Sequence, residues 1–151
     1  MIAIRQKTPD YCFVACVASA LLDNGYDKLQ DLIVQRFATE LLPPRAQKIG
    51  VPPDWAANEK IFKELGLATK PSFQRIPVKD AIEFLKKNKH RPQQIFINTN
   101  SGGELHLVRL SEVRDDGITI MDPAADPADK DVGRWDWVKF EAEYYFLVIL
   151  D

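Results

Sequence analysis

Residues 5–16, RQKTPDYCFVAC, place a glutamine six positions before a cysteine, at the mouth of an apolar segment. The segment continues as CVASALLDN and meets Gly25, a residue typical of helix C-termini. Apolar side chains cover nearly the whole circumference of this predicted helix, residues 12–24, so we expect it to be buried in the centre of the domain. Thr8 or Asp10 is the expected N-cap.

The size and charge of the chain narrow the classes of protein to consider. A length of 151 residues is sufficient for a single domain, residues 1–151, with a buried core. A formal charge of −2 gives no reason to expect nucleic acid or a membrane surface as the partner. There is no apolar run of membrane-spanning length and no signal-peptide core, so the sequence predicts a cytoplasmic protein. Non-classical export as an effector stays open.

The remaining apolar patterns divide the chain into a helical half and a strand half. Helical spacing predicts three further helices, over residues 27–42, 54–65 and 78–88. Strand patterns cover residues 93–99, 106–113, 117–123, 134–140 and 143–150. Helices followed by an antiparallel meander predict an α+β fold with an N-terminal helical half, a buried central helix and a C-terminal antiparallel sheet.

A hairpin around the sequence RDDG brings a histidine towards an aspartate. The register that stacks apolar residues on one face pairs these residues across the hairpin: Leu110 with Ile118, Val108 with Ile120, and His106 with Asp122. Directly opposed residues have Cβ atoms about 4.5–5.5 Å apart, which allows a carboxylate to hold an imidazole. Such a pair orients a general base. It also occurs as a purely structural pair at a sheet edge, and that interpretation stays open.

Cys12 lies in the first turn of the predicted buried helix, where the helix dipole and unpaired N–H groups favour a thiolate. A neighbouring imidazole would lower its pKa further and form a Cys–His ion pair. The alternative is a packing residue, the interpretation we give to Cys16. The side-chain amide of Gln6 and the backbone N–H of Cys12 form a candidate oxyanion hole.

No metal and no cofactor are expected from these residues. Cys12 and Cys16 are four positions apart, a spacing on one helix that rarely reaches disulfide geometry. Two cysteines and two histidines without a CxxC pair do not form the usual structural zinc set. No EF-hand pattern is present either.

The order of these residues resembles the papain-like cysteine peptidases and, within them, the C39 family of bacteriocin-processing (double-glycine) peptidases as a standalone domain. The matching stretches are QKTPDYCFVACVASALLDNGY, HLVRL and ITIMDPA. The resemblance implies four roles: Cys12 as nucleophile, His106 as general base and acid, Asp122 as orienting residue, and Gln6 as oxyanion donor. The family commonly has an acidic residue before the cysteine and a glycine after it, whereas Tyr11 and Phe13 stand there in this chain.

The resemblance implies a bacterial cysteine peptidase that hydrolyses a peptide or isopeptide bond through an acyl-enzyme. The expected partner is a peptide or protein substrate, and a cognate protein partner or inhibitor stays open. Two other functions fit the same residues. One is a glutamine deamidase or acyltransferase of effector or toxin type, and the other is a catalytically silent domain that binds peptides.

Overall fold

The computed structural model describes residues 1, 4–26, 29–101, 104–125 and 133–151. In the described part of the chain, helices predominate in the N-terminal half and strands in the C-terminal half. In chain order they are α1 (Cys12–Asp23), α2 (Gln30–Arg36), α3 (Ala38–Leu41), α4 (Trp55–Glu64), β1 (Ser72–Gln74), α5 (Val78–Lys87), a short 3-10 helix (Pro92–Gln94), β2 (Ile95–Ser101), β3 (Glu104–Arg114), β4 (Gly117–Met121), β5 (Arg134–Asp136), α6 (Trp137–Glu143) and β6 (Tyr144–Ile149).

The six described strands form one antiparallel sheet in the order β1-β6-β2-β3-β4-β5. Strands β2 to β5 follow one another as the meander that the sequence predicts. Strand β6 returns to the other side of β2, and the three-residue strand β1, which the sequence analysis missed, closes that edge. The predicted α+β class is confirmed.

Both faces of the sheet are covered. The face towards α1 and α4 carries an apolar layer that includes Phe13, Phe62, Phe96, Leu107 and Val148. The opposite face, towards α5 and α6, carries a second layer that includes Leu85, Ile97, Val108, Leu110 and Phe140. Alternation along the strands therefore places apolar side chains on both sides, which explains the near-continuous apolar runs in β2 and β6.

Helix α1 is the buried central helix that the sequence predicts. Every residue from Phe13 to Leu21 is buried, and the helix packs on β3. The prediction that Thr8 or Asp10 caps it is wrong. Tyr11 is the N-cap, and no side chain accepts a hydrogen bond from the first turn. The chain turns before the helix, with the Tyr11 N–H donating to the Thr8 carbonyl (3.1 Å), and this turn buries the Tyr11 ring against Gly50.

A buried arginine fastens α1 to the sheet. The Arg109 side chain of β3 is 2% exposed, and its Nη1 donates to Ser19 Oγ and Asp23 Oδ2, both at 2.8 Å. Its Nη2 donates to the Gln93 carbonyl at 3.1 Å. Because the charge is paired and hydrogen-bonded, it can lie in an apolar layer. The C-terminal half of α1 is thereby fixed over β3.

Two predicted elements differ from the structure. The helix predicted over residues 27–42 is interrupted at Phe37, whose φ of −108° and ψ of 40° separate α2 from α3. This break turns the Phe37 ring into the core, where it is 1% exposed. The strand predicted over residues 134–140 ends at Asp136. The Asp136 carboxylate accepts the Lys139 N–H (2.8 Å) and caps α6.

The predicted register of the β3–β4 hairpin is wrong by two residues. Leu110 pairs with Ile120, not Ile118, and a β-bulge separates this pair from Glu112 and its partner Thr119. The turn is centred between Asp115 and Asp116, since Arg114 pairs with Gly117, and the bulge then reduces the register difference from three residues to two. A bulge adds one residue to one strand and shifts every later pair.

Candidate active site

Three of the four predicted site residues come together from distant parts of the chain. Cys12 begins α1, His106 lies near the start of β3, and Asp122 directly follows β4. The Nε2 atom of His106 is 2.5 Å from Asp122 Oδ1. The Cys12 thiol hydrogen-bonds to the same imidazole. Since Nε2 contacts the carboxylate, Nδ1 is the ring nitrogen that remains for the sulfur.

The His106–Asp122 contact forms although the two residues are not directly opposed. Arg109 pairs with Met121, so continuing that register places Asp122 opposite Val108 and two residues from His106. Diagonal neighbours across a sheet are still within reach of long side chains. A turn after β4 also orients the carboxylate, because the Ala124 N–H donates to Asp122 Oδ1 (2.9 Å).

The electrostatics of the three groups favour charge separation. Burial raises the pKa of the Cys12 thiol, but hydrogen bonds from His106 and from the backbone of Leu107 and Phe13 outweigh it and leave this pKa below its ordinary value. Burial lowers the pKa of His106, but hydrogen bonds to Asp122 and Cys12 raise it to about 9. Burial also opposes ionisation of Asp122, yet the His106 hydrogen bond holds its pKa below the usual value. These directions support a thiolate beside an imidazolium.

The second cysteine has the opposite environment. Cys16 is fully buried, and its Sγ donates to the Leu107 carbonyl at 3.4 Å. Burial raises the pKa of this thiol well above its ordinary value. The prediction that Cys16 belongs to the core is confirmed.

Gln6 lies beside the site, but its amide does not donate towards Cys12 here. Its Nε2 donates to the Thr8 carbonyl (3.0 Å) and the Pro9 carbonyl (2.9 Å), which uses both amide hydrogens. Its Oε1 is buried and has no hydrogen-bond partner among the described residues. The Gln6 backbone N–H donates to the Pro123 carbonyl (2.7 Å), next to Asp122. The oxyanion role of Gln6 therefore stays a prediction.

Two residues at the start of α2, which sequence reasoning missed, hold the segment that carries Gln6. The Gln30 side chain accepts the Lys7 N–H (2.9 Å) and donates to the Arg5 carbonyl (2.8 Å), so it brackets Gln6 on both sides. Asp31 accepts a hydrogen bond from the Tyr11 hydroxyl (3.1 Å) and forms an ion pair with Lys7. A glutamine and an aspartate in a first helical turn carry no sequence signal for this contact.

The described residues contain no cluster of three or more His, Cys, Asp or Glu side chains that could hold a metal ion. In the same part of the chain, no helix has both the length and the apolar character needed to span a membrane.

Three solved structures show what this fold is similar to. The double glycine motif protease from an AMS/PCAT transporter, solved in complex with the leader peptide, aligns with 98% of this chain and 89% of its own at a TM-score of 0.67 and 18% identity. The peptidase domain of Streptococcus ComA, a bi-functional ABC transporter involved in a quorum sensing pathway, aligns with 98% of this chain and 95% of its own (TM-score 0.66, 15% identity). A Bacillus anthracis protein assigned as a C39-like peptidase aligns with 99% of this chain and 94% of its own (TM-score 0.54, 14% identity).

No protein-family model and no curated protein matches the sequence. The likeness therefore lies in the fold, which is the papain-like fold of cysteine peptidases. Within that class it is the fold of C39 peptidase domains, as the three stretches of sequence predicted.

Proposed function

We propose that this protein is a cysteine peptidase that hydrolyses a peptide or isopeptide bond, with Cys12 as nucleophile, His106 as general base and acid, and Asp122 as the residue that orients His106. The observation that carries the proposal is the contact of one imidazole with both Cys12 and Asp122 at the start of a buried helix, on the fold of C39 peptidase domains.

In the first half of the reaction, the Cys12 thiolate attacks the carbonyl carbon of the scissile bond and forms a covalent tetrahedral intermediate. The His106 imidazolium then gives its proton to the leaving amine, and an acyl-enzyme remains. Asp122 stabilises the imidazolium and keeps Nδ1 directed at the sulfur. In the second half, neutral His106 takes a proton from water as the water attacks the acyl carbon. The thioester bond then breaks, which releases the carboxylic acid and restores the thiolate–imidazolium pair.

The oxyanion of the tetrahedral intermediate has one ready donor and one that must move. The Cys12 N–H belongs to the first turn of α1, where amides lack intrahelical acceptors and no side chain caps them. The Gln6 amide reaches the oxyanion only after Nε2 leaves the Thr8 and Pro9 carbonyls. We propose that substrate binding makes this exchange, with the carbonyl oxygen of the substrate replacing the two backbone oxygens.

The substrate that we propose is an extended peptide. The AMS/PCAT double glycine motif protease, which has the same fold, was solved with a leader peptide bound. A peptide with two glycines before the scissile bond is therefore the first probe to test.

The test of the nucleophile is the rate of alkylation by iodoacetamide as a function of pH. We expect the wild type to react as a thiolate already at pH 6, and His106→Ala to show an ordinary thiol profile with a pKa of about 8.5. Cys12→Ala is the matched control and should not react, because its remaining thiol, Cys16, is buried. A wild-type profile near pKa 8.5 that does not depend on His106 would contradict the proposal.

The reaction itself is tested by mass spectrometry of peptides incubated with the wild type and with Cys12→Ala. Two fragments that appear only with the wild type support peptide hydrolysis. An intact peptide in which glutamine has become glutamate would identify a deamidase instead. Peptide that binds and stays unchanged would identify a silent peptide-binding domain.

A further inference from the structure

Strand β2 carries a polar side chain into the apolar layer next to the nucleophile. Asn98 pairs directly with Leu107 on β3 and with Phe146 on β6. Directly opposed residues in an antiparallel sheet share a face, so Asn98 lies on the face covered by α1 and α4. Its two cross-strand neighbours belong to the apolar layer of that face.

The amide of Asn98 lacks the hydrogen bond that its burial calls for. Its Oδ1 atom is buried and has no hydrogen-bond partner among the described residues. More than nine in ten buried polar groups in proteins have such a partner. An unpaired buried carbonyl oxygen destabilises the folded protein, and each such group calls for an explanation.

The position of Asn98 connects it to the site. The backbone of Leu107, its partner on β3, hydrogen-bonds to both thiols of α1: it lowers the pKa of Cys12 and accepts from Cys16 Sγ. The next residue of β2, Thr99, pairs with His106. Asn98 is therefore one strand away from the residue that contacts the nucleophile, about 5 Å in a sheet.

The local backbone is also irregular at this point. The pairing between β2 and β6 shifts register between Asn98 and Thr99. Bulges of this kind occur next to active sites, where they redirect side chains. The irregularity and the orphaned oxygen coincide at the same residue.

An aromatic wall continues from Asn98 towards the edge of the sheet. The ring centroids of Phe146 and Phe73 are 4.5 Å apart, and those of Phe73 and Trp55 are 6.0 Å apart. Phe73 is 43% exposed although it packs against both rings. A hydrogen-bond acceptor followed by a partly exposed aromatic surface suits an extended peptide, with a backbone N–H at the acceptor and an apolar side chain on the rings.

We propose that Asn98 is a substrate-binding residue: when a peptide binds, the Asn98 amide turns towards it and Oδ1 accepts a backbone N–H within about two residues of the scissile bond, while the aromatic wall of Trp55, Phe73 and Phe146 holds an apolar side chain beside it. The proposal rests on the peptidase function proposed above. In this proposal Asn98 Oδ1 contributes to peptide binding and lowers the stability of the protein without substrate.

The first experiment compares Asn98→Leu with the wild type in stability and in turnover. The probe is a fluorescence-quenched peptide that contains Ala-Leu-Gly-Gly-Ala. Leucine has nearly the shape of asparagine and removes the orphaned oxygen, so we expect the unfolding midpoint to rise by about 2–4 °C. At the same time kcat/KM should fall about tenfold, because the N–H of the peptide loses its acceptor.

The matched control is Asn88→Leu at the end of α5. The Asn88 amide is satisfied, since it donates to the Phe84 carbonyl (2.8 Å) and accepts from Arg91 Nε (3.1 Å). The same chemical change there should lower the unfolding midpoint and leave kcat/KM unchanged. An Asn98→Leu protein that is less stable than the wild type and cleaves the probe equally well would overturn the proposal.

The second experiment removes the N–H from the peptide instead of the acceptor from the protein. The probe is N-methylated at one residue at a time. One methylated peptide should lose about tenfold in kcat/KM with the wild type and lose nothing further with Asn98→Leu. Equal losses with both proteins would overturn the role of Asn98 and leave the peptidase function intact. A wild type that cleaves no probe peptide and shows an ordinary Cys12 thiol would instead overturn the peptidase function.

Discussion

Replacing Cys12 with alanine is expected to make the stability of the protein fall with pH between about pH 6.5 and 9. In the folded protein the pKa of His106 is raised to about 9, whereas in the unfolded chain it is about 6.5. Stability from such a group is fully present below pH 6.5 and is lost as pH rises through about 9. The Cys12 thiol stabilises the protein with the opposite pH dependence, because its pKa is lowered in the folded protein. The stability that it contributes is present above the pKa of a cysteine in the unfolded chain and is lost as pH falls through the pKa of the folded protein.

In the wild type the two contributions offset each other. The lowered pKa of Cys12 favours release of a proton on folding, whereas the raised pKa of His106 favours uptake of one. The net number of protons taken up is therefore smaller for this pair than for His106 alone, and the free energy of unfolding depends less on pH. Cys12→Ala removes the thiol, so the folded protein holds one proton more than the unfolded chain across the window.

The magnitude follows from the pKa of His106. A rise from 6.5 to about 9 corresponds to about 3 kcal/mol, at 1.36 kcal/mol per unit. Part of this rise comes from Cys12 itself, while the hydrogen bond to Asp122 persists in the variant. The imidazole is also 27% exposed and partly screened by solvent. We therefore expect Cys12→Ala to lose about 1–2 kcal/mol between pH 6.5 and 8.5, relative to the wild type.

Urea unfolding of both proteins at several pH values between 6.5 and 8.5 measures this difference. Cys16→Ala is the control: the pKa of Cys16 is raised, so it stays protonated in both states below about pH 8, and up to that pH its curve should run parallel to that of the wild type. A Cys12→Ala curve that also runs parallel to the wild type would refute the reasoning, because it would mean that Asp122 does not hold a proton on His106.

Three further substitutions test other parts of the structure. Gln30→Ala should lower kcat about tenfold with KM unchanged, and should cost nothing further in a Gln6→Ala background; additive losses in steady-state kinetics would contradict the bracketing role. Asp23→Ala should destabilise the protein by about 3 kcal/mol in urea unfolding, since Arg109 stays buried without its carboxylate; an effect below 1 kcal/mol would contradict this. Gly50→Ala should cost about 2 kcal/mol in thermal unfolding, because φ is +87° and a Cβ would come 2.8 Å from the ring of Tyr11, the residue before Cys12; an unchanged midpoint would disagree.

The elements that depend on local pattern were predictable from the sequence. The uniform apolar character of residues 12–24 predicted the buried helix, and proline or glycine boundaries predicted α4 and α5. The breaks that depend on tertiary contacts were not. Nothing in the spacing around Phe37 shows that burying its ring splits one helix into two. The residues around Asp136 have the alternation of a strand, and only the structure shows that the Asp136 carboxylate caps α6.

The candidate site was also predictable only in part. The contact of His106 with Asp122 was predicted for a reason that was partly wrong, because the hairpin turn lies closer to Gly117 than predicted and the register at Leu110 differs by two residues. The contact survives since both residues keep the same face and the histidine reaches diagonally. The hydrogen bonds of Gln30 on both sides of Gln6 were not predictable from the sequence. Gln30 is distant in sequence and contacts backbone atoms, so the side-chain pattern carries no information about these bonds.

The contrast between the two cysteines has a practical consequence for working with the protein. One thiol is partly accessible with a lowered pKa, and the other is sealed in the core with a raised pKa. A soft electrophile added at mildly acidic pH should therefore modify one sulfur per folded chain. The stoichiometry of that reaction becomes a titration of Cys12, and the fraction of molecules with a reactive thiol can be counted before any substrate is known.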